Sequence, residues 1–363
     1  MTPTDRLLPG ATIGILGGGQ LGRMLALAAA RLGLRTHIYC PDAGGPAAEV
    51  ASYETNGPYD DLEALYRFAS SCDVVTYEFE NVPAMSARTA ANASKLRPNA
   101  GALAAAQDRL TEKTFIQERA GVAVAPFKAV DHVHDARRAA RALGLPVVIK
   151  TRRFGYDGKG QAVVKKDSDL EPAFEALPSG APCIVEAFVP FVREVSIIAA
   201  RGLNGERACY PLIENVHKNH ILHTSTVPAP GNPDTGKRAA ALALKIMDAL
   251  DYIGVMATEF FELQDGTLIV NEIAPRVHNS GHWTQNGGCV DQFELHIRAI
   301  SGWPLGSTDP MHAVVMTNLI GDDVNDIDTL ASLPHAHIHL YGKSEARAGR
   351  KMGHINQIKP FTA

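Results

Sequence analysis

A chain of 363 residues, 45% hydrophobic and 20% charged, carries apolar material for more than one core and is far from the composition of a disordered chain. Lys and Arg total 35 against 39 Asp and Glu, a net charge of −4, so no global positive field exists to retain a nucleic acid, and any anion binding must be local. Apolar runs such as 25–30 and 253–257 fall well short of the roughly 18 residues that span a bilayer, and positions 1–10, with Asp5 and Arg6, hold no apolar signal core. A cytoplasmic protein without a nucleic-acid or membrane partner is expected. The five cysteines, an odd number without C-x-x-C spacing, read as thiols in a reducing compartment rather than a disulfide framework or zinc cage.

In chain order, residues 11–16 read as a strand, 17–22 as a glycine-rich turn and 21–32 as a helix. Strands at 35–40 and 73–77 flank a helix at 61–69, so β and α alternate as in an open parallel sheet, over a first α/β domain of about residues 1–105. An Ala-, Leu-, Glu- and Lys-rich helix is expected over 100–120, then a strand at 147–150, a glycine loop at 155–160 and a strand at 161–165. Strands at 183–189 and 194–201, a Pro- and Gly-punctuated loop at 228–234 and a helix over 234–250 complete an α+β domain of about 106–300, with a lid subdomain of about 125–190. Strands at 313–319 and 338–341 and the basic residues Arg347, Arg350 and Lys351 predict a small β-rich C-terminal domain, 301–363.

Gly17-Gly18-Gly19-Gln20-Leu21-Gly22 satisfies G-x-G-x-x-G between a strand and a helix, and Asp42 ends the second strand. Such a turn turns backbone N–H groups and a helix N-terminus toward a phosphate, so NAD or another anionic ligand fits it, and so does tight turn packing alone. Glu78 and Glu80 follow the strand at its ligand-facing end. Glu80 is placed to bind a sugar hydroxyl, or both cap the helix that starts near Pro83.

Between two β-rich runs, Asp265-Gly266 signals a two-residue hairpin turn, and counting outward from Gln264 and Thr267 sets Glu259 opposite Glu272. Two carboxylates about 5 Å apart across a ladder need a shared proton, a cation or a metal. Hard oxygen ligands favour Mg²⁺, which takes one or two carboxylates and completes its shell with water and phosphate oxygens, with Asn271 adding a further oxygen. By strand parity Glu262 faces the other way and is expected to be an ordinary surface charge. The segment 150–161 joins two strands with three glycines and the cations Lys150, Arg152, Arg153 and Lys159, a loop able to fold over polyphosphate although it lacks the Walker A pattern.

This order of parts resembles the ATP-grasp superfamily, and the run 271–284, Asn-Glu-Ile-Ala-Pro-Arg-Val-His-Asn-Ser-Gly-His-Trp-Thr, resembles the signature of the 5-(carboxyamino)imidazole ribonucleotide synthase family. Segments 17–24, 77–82, 155–161 and 349–356 are similar to further blocks of that family, so the resemblance extends over nearly the whole chain. It implies α/β and α+β architecture: an ATP-grasp fold with an N-terminal Rossmann-like (pre-ATP-grasp) domain and a small β-rich C-terminal domain. The implied activity is an ADP-forming carbon–nitrogen ligase that carboxylates 5-aminoimidazole ribonucleotide with ATP, Mg²⁺ and bicarbonate, by way of carboxyphosphate, in a cytoplasmic homodimer. For ATP the resemblance implies Arg109, Lys150, the loop residues Gly155, Tyr156, Asp157, Gly158, Lys159, Gly160 and Gln161, the adenine hinge Glu186, Ala187, Phe188 and Val189, then Glu194, His217, Asn271 and Glu272. Glu259 and Glu272 match the metal ligands. For the ribonucleotide it implies Gln20, Leu21, Glu80, Tyr156, Asp157, Arg276, His278, Asn279, Arg350 and Lys351, with Asp157, Arg276, His278 and Lys351 catalytic. Asp157 is the expected proton acceptor and His278 the second choice, while His282 and Trp283 brace the loop. Family members usually continue for several tens of residues beyond the Gly-Arg-Lys-x-Gly-His block, whereas this sequence stops at Ala363, so a truncated C-terminal domain is an open expectation. A formate-using glycinamide ribonucleotide transformylase of the same superfamily, an NAD-dependent dehydrogenase and a non-catalytic nucleotide sensor remain as alternatives.

Overall fold

The computed structural model describes residues 5–155 and 158–360. Four parallel strands in the order Tyr53–Asn56, Arg35–Cys40, Thr12–Leu16, Val74–Tyr77 form the N-terminal sheet. The apolar run that predicted the first strand supplies Ile13, Ile15 and Leu16, none of them solvent-exposed. Helix Gln20–Arg31 buries Leu21, Met24, Leu25, Ala28 and Ala29 on one stripe. That stripe shares a core with Phe293, Ile297 and Ile300 of helix Gln292–Ile300, so the first sheet is fastened to the central body by apolar packing.

The helix expected over 100–120 is two helices, Ala100–Ala106 and Arg109–Glu118. Asp108 interrupts them: its carboxylate accepts from the N–H groups of Leu110 and Thr111, capping the second helix, and also binds Arg152 and Arg153. Alanine-rich propensity favours one helix, and a buried cap with two guanidinium partners overrides it.

A four-stranded antiparallel sheet in the order Phe127–Val130, Cys183–Ala187, Val147–Thr151, Gln161–Val164 carries the glycine loop, with helices Val133–Leu143 and Leu170–Glu175 packed onto it. The central sheet has nine strands. Its main path is Leu268–Ala274, Gly254–Glu262, Arg193–Arg201, Ile213–Lys218, Ile221–Val227, Ala313–Ile320, Lys351–Lys359, Ala336–Leu340, with Arg207–Cys209 paired to Arg193–Arg201. Helix Pro233–Ala249 covers one face through Ala239, Ala243, Ile246 and Met247. The C-terminal strands Ala313–Ile320, Lys351–Lys359 and Ala336–Leu340 pair antiparallel with one another, and Thr224–Val227 pair with Val314–Thr317, so this small β-rich segment is continuous with the central sheet.

All five cysteines are free thiols. Among the described residues no helix is long and apolar enough to cross a membrane.

Candidate active site

The Glu259 to Glu272 facing arises by two deviations that cancel. The hairpin loop has three residues, Gln264, Asp265 and Gly266, rather than two: Leu263 N–H donates to Thr267 O, Gly266 N–H donates to Leu263 O, and Gly266 has φ 79°. That loop shifts the pairing by one residue. A β-bulge between Glu259 and Phe260 shifts it back, pairing Phe260 with Val270 and Glu259 with Glu272 and leaving Asn271 as the extra residue. The bulged Asn271 faces the cavity, and its carbonyl accepts from Lys113 Nζ at 3.1 Å. Glu262 does point away from the pair, but it is buried, with Arg193 Nε at 2.6 Å and the Thr235 hydroxyl donating to it, and so is not the surface charge expected.

A cavity of about 540 Å³ opens between the central sheet and the lid sheet. Its apolar lining includes Val148, Val163, Phe188, Phe191 and Phe261, with the Phe191 and Phe261 rings stacked at 4.5 Å and 11°, and Leu222 from the strand Ile221–Val227. Glu194 and His217 pair on the wall at 3.1 Å; burial would lower the imidazole pKa, but the Glu194 hydrogen bond and charge outweigh it and raise it.

Deeper in, Glu186 lies between two lysines, 2.9 Å from Lys150 Nζ and 3.3 Å from Lys113 Nζ. Burial alone would raise the Glu186 carboxyl, but Lys113 and Lys150 together hold it down at about 2. The same burial lowers Lys150 despite its partner. Glu186 thus serves as counter-ion to two ammonium groups, and the expected hinge residues Glu186, Ala187, Phe188 and Val189 all line the cavity. Lys113 escaped the sequence reading because a lysine in a helix of mixed charge looks like a solvated face.

Gly155, Gly158, Lys159 and Gln161 line the cavity from the lid, while Gly160, at φ 72°, packs on Thr151. Gly158, at φ 78°, rests on the turn of the hairpin opposite, where an added Cβ would lie 2.3 Å from His220 Cβ. Arg152 and Arg153 bind Asp108, which leaves Lys150 and Lys159 as the loop's cavity-lining cations. Tyr156 and Asp157 lie outside the described residues.

Glu259, Glu272, Arg109, Glu80, Arg276, His278, Asn279 and Lys351 also line the cavity. Glu272 Oε2 is 3.1 Å from Arg109 Nη1, and Glu259 Oε1 is 3.1 Å from His278 Nε2. Burial and the facing Glu272 push Glu259 up to about 7, the behaviour of a carboxylate pair that calls for a cation. Among the described residues no group of three or more His, Cys, Asp or Glu could hold a metal ion. Two carboxylates nevertheless fit Mg²⁺, whose remaining positions go to water and phosphate.

Burial would raise Glu80, but Arg276, with Nε at 2.6 Å, holds it at about 2. Burial, with Arg276 and Lys351 nearby, lowers His278 to about 3, so its ring is neutral. Both ring nitrogens are engaged, Nε2 by Glu259 and Nδ1 by Ser280. Asn279 is 9% exposed and among the described residues its side-chain amide has no hydrogen-bond partner, so it has hydrogen bonds to offer a ligand. His282 and Trp283 are buried in the turn Asn279–Asn286, with Gln292 Nε2 donating to His282 Nδ1.

Gln20, Leu21 and Arg350 are not brought into this cavity wall. Gln20 and Leu21 begin the first helix, and Arg350 Nη1 donates to Glu345 O. The glycine turn itself is filled from within: Glu78 accepts from Gly19 N–H at 2.9 Å and Gly22 N–H at 3.1 Å. A Cβ at Gly17 would lie 2.4 Å from Glu78 Cγ, so the glycines admit a protein carboxylate where a pyrophosphate would sit. The dinucleotide reading therefore fails on this turn.

The Ribonucleotide synthetase preATP-grasp domain family matches residues 10–107, the ATP-grasp domain family 115–293, and the Phosphoribosylaminoimidazole carboxylase C-terminal domain family 314–362. The chain is 52% identical over 358 residues to an N5-carboxyaminoimidazole ribonucleotide synthase of Brucella melitensis, covering 98% of each. An ADP complex of an N5-carboxyaminoimidazole ribonucleotide synthetase superposes with a TM-score of 0.95 at 43% identity, over 99% of this chain and 94% of that one. A synthase of Aspergillus clavatus, in complex with ADP and 5-aminoimidazole ribonucleotide, superposes with a TM-score of 0.90 at 31% identity, over 97% and 94%. The chain belongs to the ATP-grasp superfamily and, within it, to the N5-carboxyaminoimidazole ribonucleotide synthase family.

Proposed function

We propose that this chain is an ADP-forming ligase that carboxylates the 5-amino group of 5-aminoimidazole ribonucleotide, using ATP and bicarbonate, in purine biosynthesis. The observation that carries the reading is one cavity lined by an aromatic slot, Lys150 with its counter-ion Glu186, a carboxylate pair and the Glu80–Arg276 pair. The slot of Val148, Val163, Phe188, Phe191 and Phe261 suits a flat base, and Glu194 with His217 suits a ribose. Lys150 and the lid suit the phosphates as a point charge and a set of inward N–H groups. Glu259 and Glu272 would hold Mg²⁺, which when bound draws charge from the phosphates.

A bicarbonate oxygen attacks the γ-phosphorus, the bond to the β-phosphate oxygen breaks, and carboxyphosphate and ADP result. Closure of 155–160 excludes water from that anhydride. Arg276, fixed by Glu80, supplies a fork of donors to carboxyphosphate, which collapses to CO₂ and phosphate. The substrate amine attacks CO₂ and gives its proton to Asp157. Asn279, Lys351 and Tyr156 complete the ribonucleotide contacts, with Gln20, Leu21 and Arg350 as its outer contacts. This reading includes a homodimer and a cytoplasmic location, on the family resemblance. Release of ADP and phosphate from MgATP and bicarbonate tests it: stimulation by 5-aminoimidazole ribonucleotide, with one labile carbamate formed per ADP, is the expected result. A requirement for formate and glycinamide ribonucleotide, or ATP binding without ADP release, would overturn it.

A further inference from the structure

His278 sits at the head of a row of buried polar side chains that the reaction scheme does not use. Its Nδ1 receives the backbone N–H of Ser280 at 3.3 Å. An amide N–H only donates, so Nδ1 carries no proton, and the ring is neither an imidazolium nor the Nδ1–H tautomer. The single ring proton is therefore on Nε2, 3.1 Å from Glu259 Oε1. The Ser280 hydroxyl, 2.9 Å from Nδ1, donates to the same lone pair. Ser280 Oγ in turn accepts from Ser196 Oγ at 2.9 Å, Ser196 Oγ accepts from Asn215 Nδ2 at 2.8 Å, and Asn215 Oδ1 accepts from Ser225 Oγ at 2.8 Å.

We propose that Ser280, Ser196, Asn215 and Ser225 form a one-way hydrogen-bond chain that locks His278 as the Nε2–H tautomer aimed at Glu259, and that they are positioning residues for the reaction. Every donor in the row points toward Glu259. The asparagine amide sets the direction, because one end only donates and the other only accepts, and the Ser280 amide sets it again at the histidine. Ser196, Ser225 and Ser280 are completely buried and Asn215 is 5% exposed, so water cannot substitute for a missing link. Sheet register builds the row: Glu259 pairs with Ser196 and Asn215 with Ser225 across neighbouring strands, which puts these side chains on one face. At its end the Nε2–H engages one oxygen of Glu259, leaving the other for a cation, in the way outer hydrogen bonds orient ligating carboxylates. The assignment of Glu259 as a cation ligand rests on the proposed function; the tautomer does not.

The test uses the full, metal-free chain labelled with [¹⁵N]histidine, read by long-range ¹H–¹⁵N correlation, with His278 assigned by its loss in His278→Gln. The wild-type ring is expected as the pure Nε2–H form. In Ser196→Ala the Ser280 hydroxyl is no longer held as a donor and can turn to accept, which leaves only the longer 3.3 Å amide contact to oppose a proton on Nδ1, so a fraction of the Nδ1–H form should appear beside the Nε2–H form, and Ser196→Thr, which keeps the hydroxyl, should restore the wild-type pattern. Ser225→Ala, two links further away, should shift the ring in the same direction by less and supplies the answer if Ser196→Ala does not fold. Steady-state ADP formation should show kcat lower by about tenfold in Ser196→Ala with the KM for ATP within about twofold, and recovery in Ser196→Thr. An unchanged ring in both alanine variants would overturn the chain. A changed ring with unchanged kcat would overturn its positioning role, whereas a wild-type enzyme that makes no ADP would overturn the function and leave the tautomer result standing.

Discussion

Glu186→Gln removes one charge from between two lysines while nearly keeping the side chain's volume. Glu186 is 3% exposed, Lys113 1% and Lys150 7%, and the ammonium nitrogens lie 3.3 and 2.9 Å from the carboxylate. Held at about 2 against an ordinary 4.5, the ionised carboxylate contributes about 3 kcal/mol to stability. That contribution is fully present above pH 4.5 and is lost as pH falls through about 2. Lys150 is nonetheless lowered, because burial outweighs Glu186, so the cluster as a whole is worth less than the carboxylate's share. Removing the carboxylate is different, because it leaves two buried ammonium groups facing each other, a change that costs about 3–5 kcal/mol. At about 2–4 °C per kcal/mol in a domain of this size, the variant should melt roughly 6–20 °C below the wild type at pH 7. A lysine with a lowered folded pKa costs stability below that value, and the cost disappears as pH rises toward 10.5. Thermal melts at pH 7, 8.5 and 10 should therefore show the gap closing. A gap below about 2 °C at pH 7, or one that does not narrow with pH, would refute the argument.

Three further outcomes follow from the same site. Because Glu259 takes up a proton near pH 7, protons compete with Mg²⁺, and the Mg²⁺ concentration for half-maximal ADP formation should rise about tenfold from pH 6.5 to 5.5 and level off above 7.5; a flat profile counts against the pair as ligands. Gly158→Ala combines an unfavourable φ of 78° with a Cβ 2.3 Å from His220, so the lid cannot close on that hairpin and the KM for ATP should rise at least about tenfold, with the melting temperature nearly unchanged. Glu78→Ala leaves two N–H groups of the glycine turn without their acceptor and should cost about 1–3 kcal/mol in urea unfolding; if phosphate or NAD restored that loss, the turn would be a ligand site after all.

What could be read in advance is local. The strand, turn and helix at 12–31 follow from an apolar run, three glycines and a helical stripe within twenty residues of one another, and the structure forms them as Thr12–Leu16 and Gln20–Arg31. The facing of Glu259 and Glu272 was legible because a hairpin closes over a short separation, even though the count rested on a two-residue turn and the molecule uses a three-residue loop with a compensating bulge at Asn271. The break at Asp108 was not legible. Its side chain chooses between continuing an alanine-rich helix and capping a new one, and the deciding partners are Arg152 and Arg153 in the loop that follows strand Val147–Thr151.

The amino-acid sequence by itself therefore determined the alternation of elements, the glycine lid and the carboxylate hairpin, because each depends on residues adjacent along the chain. Tertiary structure alone decided which charges meet. Glu78 closes a turn 59 residues away, Arg109 reaches Glu272 across 163, Lys113 joins Glu186 beneath the lid, and three strands and a turn align a serine and asparagine row behind His278. No pattern of period two or 3.6 encodes such pairings, because burial turns a polar residue into a partner only once the sheet has formed and water has been removed.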